Sequence, residues 1–522
     1  MVTRLKAYSI PSFKTGLNTA VPAHLGEKSS ARTAKNVKFS LLRVEKTHGY
    51  EKFDSAALTG VPQIIDNYYQ DDGDVFLMVV THLRCYKYNT ATTDFDDITG
   101  GALTGTNDQP ADSDVAFNRF YFTNYNDFPQ FWNGTGNIAV VPALDATTGS
   151  DIEGSIDSCK AKCIKGFANF LVLGNTLENS TERPSRVRWS RYGDPTLWEN
   201  TAAGAGQAGF SDVGDVDQIV ALRRLKDYLV IYKERSIWVM QYIGPPEIFV
   251  FRRIIDGVGL VSPRGVAELT NEHIFFAADG IYAFDGVSIR PLSDRININF
   301  FTSLNQNKLQ VMTSLFVEED FEILFPFVNT DESWPTQALV YNYVTGAFGF
   351  RDLPATAVGY WTQASNATWE SLGSLQWDQI SDYWDRKNLA SEGPLNLFGD
   401  SSGYIYKMNN VDTADGADYE GYFTTKVLDL GNPNIIKRVQ RIQVEVTREG
   451  DWDLQIYAAA LETPYDTISF QNPKILSLDS SNAYIDLDIS GRYFVFKFRT
   501  ANKNEHFEIS GITIQYIERS VR

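Results

Sequence analysis

Cysteine is almost missing from this chain. Cys85, Cys159 and Cys163 are the only three in 522 residues, too few and too odd in number for a disulfide framework, so the sequence reads as one made in a reducing compartment. Long apolar runs are missing as well. The longest, such as FLMVV at 76 and IFVF at 248, fall far short of the roughly 18 consecutive apolar residues of a membrane-spanning helix, and no membrane insertion is expected. The opening MVTRLKAYSIPSFKTG holds no apolar segment of the length a secretory leader needs. Histidine is scarce: His24, His48, His82, His273 and His506 stand singly along the chain, with no H-x-x-x-H pair to suggest a metal site. Positive charge is in deficit, with 47 Lys and Arg against 65 Asp and Glu for a net charge of −18. That balance argues against a sequence-independent nucleic-acid binder, which must neutralise phosphates. The deficit is uneven. Residues 1–52 carry ten Lys or Arg and only three Asp or Glu, a balance of +7 that leaves −25 for the rest.

What the chain has in quantity is aromatic side chains, 13% of the total, set in short alternating runs with hardly any 3.6-residue periodicity. That pattern favours β structure. Turn signals recur between the runs: Asn133-Gly134 after Trp132, Asp285-Gly286 after Phe284, Thr345-Gly346 after Tyr343. The first has the form of a primed two-residue hairpin turn, which needs positive φ at both central residues. One aromatic closes each hairpin, namely Tyr88, Trp132, Trp189, Trp238, Phe284, Tyr343 and Tyr406. Neighbouring anchors are 44, 57, 49, 46, 59 and 63 residues apart, close to the length of a four-stranded blade with variable loops. The expected architecture is an all-β β-propeller of about seven blades, within a range of six to eight. A blade is a small sheet with two apolar faces and needs neighbours to cover both, which explains why the turn and aromatic keep returning.

Three regions follow from texture. Residues 1–55 are basic and irregular, and are expected to form an extended N-terminal arm without a core of its own. Residues 56–411 make the propeller. The polar stretch NNVDTADGADYEG at 409–421 leads into residues 412–522, where Ile442, Val444 and Val446 alternate with polar neighbours and Phe494, Phe496 and Phe498 share a strand face; these are expected to form a C-terminal β-sandwich.

Candidate chemistry is thin. Cys159 and Cys163 are spaced to lie on one side of an element, but no further Cys or His pair completes a zinc set, and both read as buried structural thiols. Glu318, Glu319 and Asp320 fit a solvated turn better than a glycosidase pair. SRYGDPTLW at 190–198 has the wrong spacing for the Asp-box turn of sialidases, Asp194 falling four residues after Ser190. Gly257-x-Gly259 lacks a Rossmann context. Arg223, Arg224 and Lys226 form a short basic cluster more suited to a loop or interface than to a DNA patch. No catalytic, cofactor-binding or metal-ligating residue is assigned, no cofactor is implied, and the chain is expected not to be an enzyme.

Several motifs occur in a telling order. PSFKTGLNTAVPAHLGEKSSARTAKNVKFSLLRVEKTHGYEKF, then RVRWSRYGDPTLWE, ALRRLKDYLVIYKERSIWVMQY, GVGLVSPRGVAEL and IFFAADGIYAFDGVSIRPLSDRI, and finally TTKVLDLGNPNIIKRVQRIQVEV with RYFVFKFRT and FEISGITIQYIE, resemble propeller-type structural proteins of short-tailed bacteriophages, which include tail nozzle proteins and head-to-tail hub or stopper proteins. The resemblance implies a virion component made in the bacterial cytoplasm and assembled as a homo-hexamer around the DNA exit channel. Its neighbours would be portal, adaptor or tail proteins, and double-stranded DNA would pass without sequence-specific binding. An acidic body suits a conduit that does not grip a duplex, and the basic arm suits docking on an acidic neighbour. The alternative is a propeller that binds or depolymerises host surface glycans.

Overall fold

In the computed structural model, described for residues 5–41, 43–145, 152–200, 207–214, 217–362, 394–447, 453–477 and 484–519, strands dominate and the chain is a seven-bladed β-propeller joined to a β-sandwich. Six four-stranded antiparallel blades follow one another over residues 62–97, 112–140, 159–212, 219–256, 266–291 and 315–352. The seventh takes three strands, Ala357–Trp361, Leu395–Gly399 and Ile405–Met408, from the end of the propeller and its outer strand, Tyr50–Lys52, from near the start of the chain. The ring closes where the first strand of blade seven packs against that of blade one.

The core lies between the blades. Each interface has its own apolar cluster, such as Tyr68, Met78 and Phe120 between blades one and two, or Ala221, Val230 and Phe275 between blades four and five. The aromatic anchors fall one per blade on the third strand, except Tyr343, which follows the third strand of blade six directly. Trp132, Trp189, Phe284 and Tyr406 are buried, whereas Tyr88, Trp238 and Tyr343 are half-buried. Trp238 therefore covers the edge of its interface, its Nε1 donating to Ser236 Oγ at 3.1 Å. The three turn signals are real loops between third and fourth strands, but not primed two-residue turns. Gly134 takes φ +97° while Asn133 stays outside the left-handed region and accepts from the Thr135 amide at 3.2 Å. Asp285 does the same job before Gly286, accepting from Val287 and Ser288 amides at 2.8 and 2.7 Å. In both loops a side-chain oxygen substitutes for the second positive-φ residue.

The sandwich has two six-stranded sheets. As the alternation implies, Ile442 and Val444 of one sheet and Phe494, Phe496 and Phe498 of the other are buried. The first 55 residues correct the expectation of an extended arm. Lys6–Ile10 pairs with Glu508–Arg519, Ser30–Lys35 pairs with Gly421–Thr425, and Val37–Phe39 with Val44–Lys46 extends the first sheet. Five of the twelve sandwich strands thus come from residues 6–46, and Ile10, Phe13, Leu17, Val37 and Phe39 sit in its core. The segment looked irregular because its strands are short and separated by turns, and most of what they pack on lies hundreds of residues away, in the sandwich and in blade six. Its charges find partners there too: Lys6 lies 2.7 Å from Glu518, Lys35 2.9 Å from Asp352, Lys38 2.6 Å from Asp320, and Arg43 2.9 Å from Glu508. The acidic neighbour expected for the basic segment is this chain's own body. The sandwich core also runs without a break into the interface of blades five and six, through Phe276, Phe301, Phe325 and Phe348.

Two outcomes follow. Trp132→Ala is expected to lower stability by about 3–5 kcal/mol, as for large-to-small changes in a packed core, and the half-buried Trp238→Ala by clearly less; chemical denaturation of both variants measures the difference. A chain starting at Glu51 is expected to lose its cooperative melt, since it lacks the five sandwich strands, and calorimetry reads that directly.

Candidate functional site

Propellers offer a site along the axis where the first strands converge, and here that axis is packed with charge. Arg223, on the first strand of blade four, reaches Asp112 of blade two at 3.1 Å and Glu268 of blade five at 3.4 Å. Asp114 pairs with Lys165 of blade three at 3.4 Å and with Arg224. Asp66 of blade one accepts from Ser113 Oγ at 3.2 Å. Arg264, just before blade five, donates across to the Gln63 carbonyl of blade one. Burial pulls the Arg223 guanidinium down, but Asp112 and Glu268 outweigh it and hold its pKa above the ordinary value. Among the described residues no carboxylate pairs with Arg264, and burial lowers it to about 10. Burial raises Asp66 to about 6 against the attraction of Lys165. Pairs of this kind offset the cost of burying charge but strongly penalise loss of one partner. The ion pairs join the inner strands of blades two to five, and the Ser113 and Arg264 hydrogen bonds add blade one. Arg223 and Arg224 are therefore committed to ion pairs, and Lys226 sits in a hairpin turn with its amine 3.3 Å from the Asp285 carbonyl.

At the end where the first strands begin, a cavity of about 500 Å³ opens among Tyr125, Lys162, Gln218, Glu234, Leu260 and Gln310. Lys162 Nζ stands over the Tyr125 ring and donates to Gln218 Oε1 at 3.3 Å, and Gln218 Nε2 donates to Glu234 Oε1 at 2.6 Å. These polar groups answer one another across the cavity wall.

The remaining sequence candidates are structural. Glu318, Glu319 and Asp320 form the hairpin turn before Glu322–Phe327, and Asp320 ties it to Lys38 at 2.6 Å and to Asn409 Nδ2 at 3.0 Å. Asp194 caps its own turn, accepting from the Thr196 amide and hydroxyl at 2.9 and 2.6 Å. Gly259 lets the chain pass the Lys233 carbonyl, which a Cβ would meet at 2.3 Å. The three cysteines are free and buried, and burial raises the Cys159 thiol to about 12. Cys159 and Cys163 do not share a site, since the first packs between blades two and three and the second between blades three and four.

One constellation was invisible in the sequence. Where the two domains meet, His48 Nδ1 lies 2.8 Å and His506 Nδ1 3.8 Å from Asp412 Oδ1. The two imidazoles stack with centroids 5.0 Å apart and planes 11° apart. Spacing along the chain carries no hint of a pair separated by more than 450 residues. Arg351 fixes the first member from behind, donating to the His48 carbonyl and to Asn409 Oδ1 at 2.6 Å each. Burial tends to raise the Asp412 carboxyl, but the hydrogen bond with His48 and the nearby His506 ring prevail and hold it well below the usual carboxylate range.

The chain matches no family model and no curated protein sequence. Among solved structures it is similar to the WD40 domain of Pan2 from Neurospora crassa, at 9% identity over 72% of this chain and 98% of that one, with a TM-score of 0.37.

Near this seam Glu322 is buried, and burial raises its pKa from 4.5 to about 8. The unfolded chain gives up that proton near 4.5 and the folded chain only near 8, so unfolding releases a proton between those values and stability falls as pH rises through the window. Glu322→Gln is expected to flatten this fall and to leave the variant more stable than the parent above pH 8, which melting curves across pH 5–9 measure. Arg223→Met is expected to cost about 3–5 kcal/mol, because it strands Asp112 in the packed axis; urea denaturation tests it.

Proposed function

We propose that the chain is a structural, non-catalytic component of a tailed-phage virion, a tail nozzle or head-to-tail hub, six copies of which ring the DNA exit channel. The observation that carries this reading is the ordered set of motifs spanning the N-terminal segment, the central blades and the sandwich, which resembles those proteins along most of the sequence. The geometry supports it in two ways. Buried ion pairs tie the inner strands of blades two to five to one another, which suits a duplex running between copies and not through one. The N-terminal strands stitch propeller and sandwich into one unit, and a ring wall under load needs a subunit whose domains do not swing. On this reading, portal, adaptor or tail proteins contact the ring, and its acidic balance keeps it from gripping passing DNA.

The assembled mass is expected to correspond to six chains by light scattering or mass photometry. The purified protein is expected to show no saturable binding of double-stranded DNA at micromolar concentration even in low salt, where phosphate contacts are strongest. A monomer that turns over a bacterial surface polysaccharide would replace this reading with the glycan-directed alternative.

A further inference from the structure

The two-histidine seam has features that ion pairing alone does not account for. Its members come from three segments: His48 from the stretch between the sandwich and the closing strand of blade seven, Asp412 from the link out of the propeller, and His506 from a sandwich loop. One nitrogen of each ring and one Asp412 oxygen all lie within 4.8 Å of one another. His506 Nδ1 is shielded from solvent and has no hydrogen-bond partner among the described residues, which is costly for a buried polar atom. It faces Asp412 across a gap of 3.8 Å.

The scaffold around these groups is fixed. Gly49 donates its amide to the Val411 carbonyl at 2.5 Å, and a Cβ there would stand 1.9 Å from the Thr413 oxygen. Only glycine lets the two segments approach so closely. The Asn504 amide donates to the Asp412 carbonyl at 3.2 Å, and Lys46 Nζ to the Glu505 carbonyl at 2.6 Å. Three carboxylates, Asp412, Asp418 and Glu505, act on this corner against the cations Lys46 and Arg351.

We propose that His48, Asp412 and His506 bind one divalent transition-metal ion of the zinc class, which clasps the propeller to the sandwich. Two imidazoles and a carboxylate are donors that suit zinc, whereas calcium and magnesium take oxygen ligands. Ligand atoms about 2 Å from a tetrahedral ion stand roughly 3.3 Å apart, so binding would draw the donors, now within 4.8 Å of one another, closer and turn the two near-parallel rings until their nitrogens converge. The side chain of His48 is 51% exposed, which opens the fourth position to water. The Arg351 contact to the His48 carbonyl and the Gly49 approach hold the segments in place as outer partners. This assignment stands apart from the virion reading and survives or fails without it.

The full chain, stripped with a chelator and dialysed, is titrated with zinc sulfate against a chromophoric competitor, and with cobalt chloride followed by its visible d–d absorption. One equivalent of zinc per chain is expected, with a rise in melting temperature and no competition from calcium. His48→Gln and His506→Gln are each expected to weaken binding by more than the roughly 10–100-fold that loss of an outer-shell partner costs, while His24→Gln retains the full equivalent. His48 is half-exposed, so its variant decides the matter if His506→Gln does not fold. No saturable zinc binding by the parent chain, equal binding by His48→Gln, or displacement by calcium would overturn the proposal.

Discussion

The rest of the architecture depends on strand pairing between the two ends of the chain. Tyr8 sits opposite Ile514 and Ala34 opposite Phe423 in the sandwich, and Glu51 lies opposite Lys407 in blade seven. A propeller without its outer closing strand leaves blade seven with an open edge, and sheet edges invite wrong pairing. The sandwich without its N-terminal strands loses part of both sheets. One segment answers both needs, so neither domain is complete until the other's boundary has formed. Bringing such distant strands together carries a loop-closure cost that grows only slowly with length. It is offset by burial of Ile10, Phe13, Val37 and Phe39 in a core that continues into blades five and six.

Charge serves the same end. The excess of positive charge near the N-terminus and of negative charge elsewhere would look like a docking device if the segment were free. Inside the fold it is a set of intrachain contacts, with Lys38 held between Glu45 and Asp320 and Arg43 between Glu45 and Glu508. Lys38, Glu45 and Asp320 are largely shielded from solvent while Arg43 is half-exposed, and the pairs serve to set register and to place the segment. The axis uses charge differently. Arg223, Asp112 and Asp114 are buried, and their pairing selects one arrangement of neighbouring blades while making each member hard to remove.

Much of the fold was legible because the repeat is local. Each of the first six blades supplies its own strands, turn and aromatic within about 50 residues, and the anchors Tyr88 to Tyr406 mark all seven third strands or their immediate ends. Alternation along Phe494, Phe496 and Phe498 likewise declares a strand with one buried face, since side chains of a strand point to opposite sides by turns. Burial depth was less legible. Trp238 has the same local setting as Trp132, yet it lies at the rim of its interface and only the packing of blade four on blade three shows it.

By itself the sequence determined the all-β class and the blade period, because each of these is written within a few neighbouring residues. Tertiary structure alone decided where residues 6–52 belong, which charges meet on the axis, and that His48 and His506 stand beside Asp412. Those facts depend on which strands and blades come together across long stretches of chain. Local composition cannot encode that choice, since short strands such as Val37–Phe39 and Val44–Lys46 become strands only when a partner sheet is there to receive them.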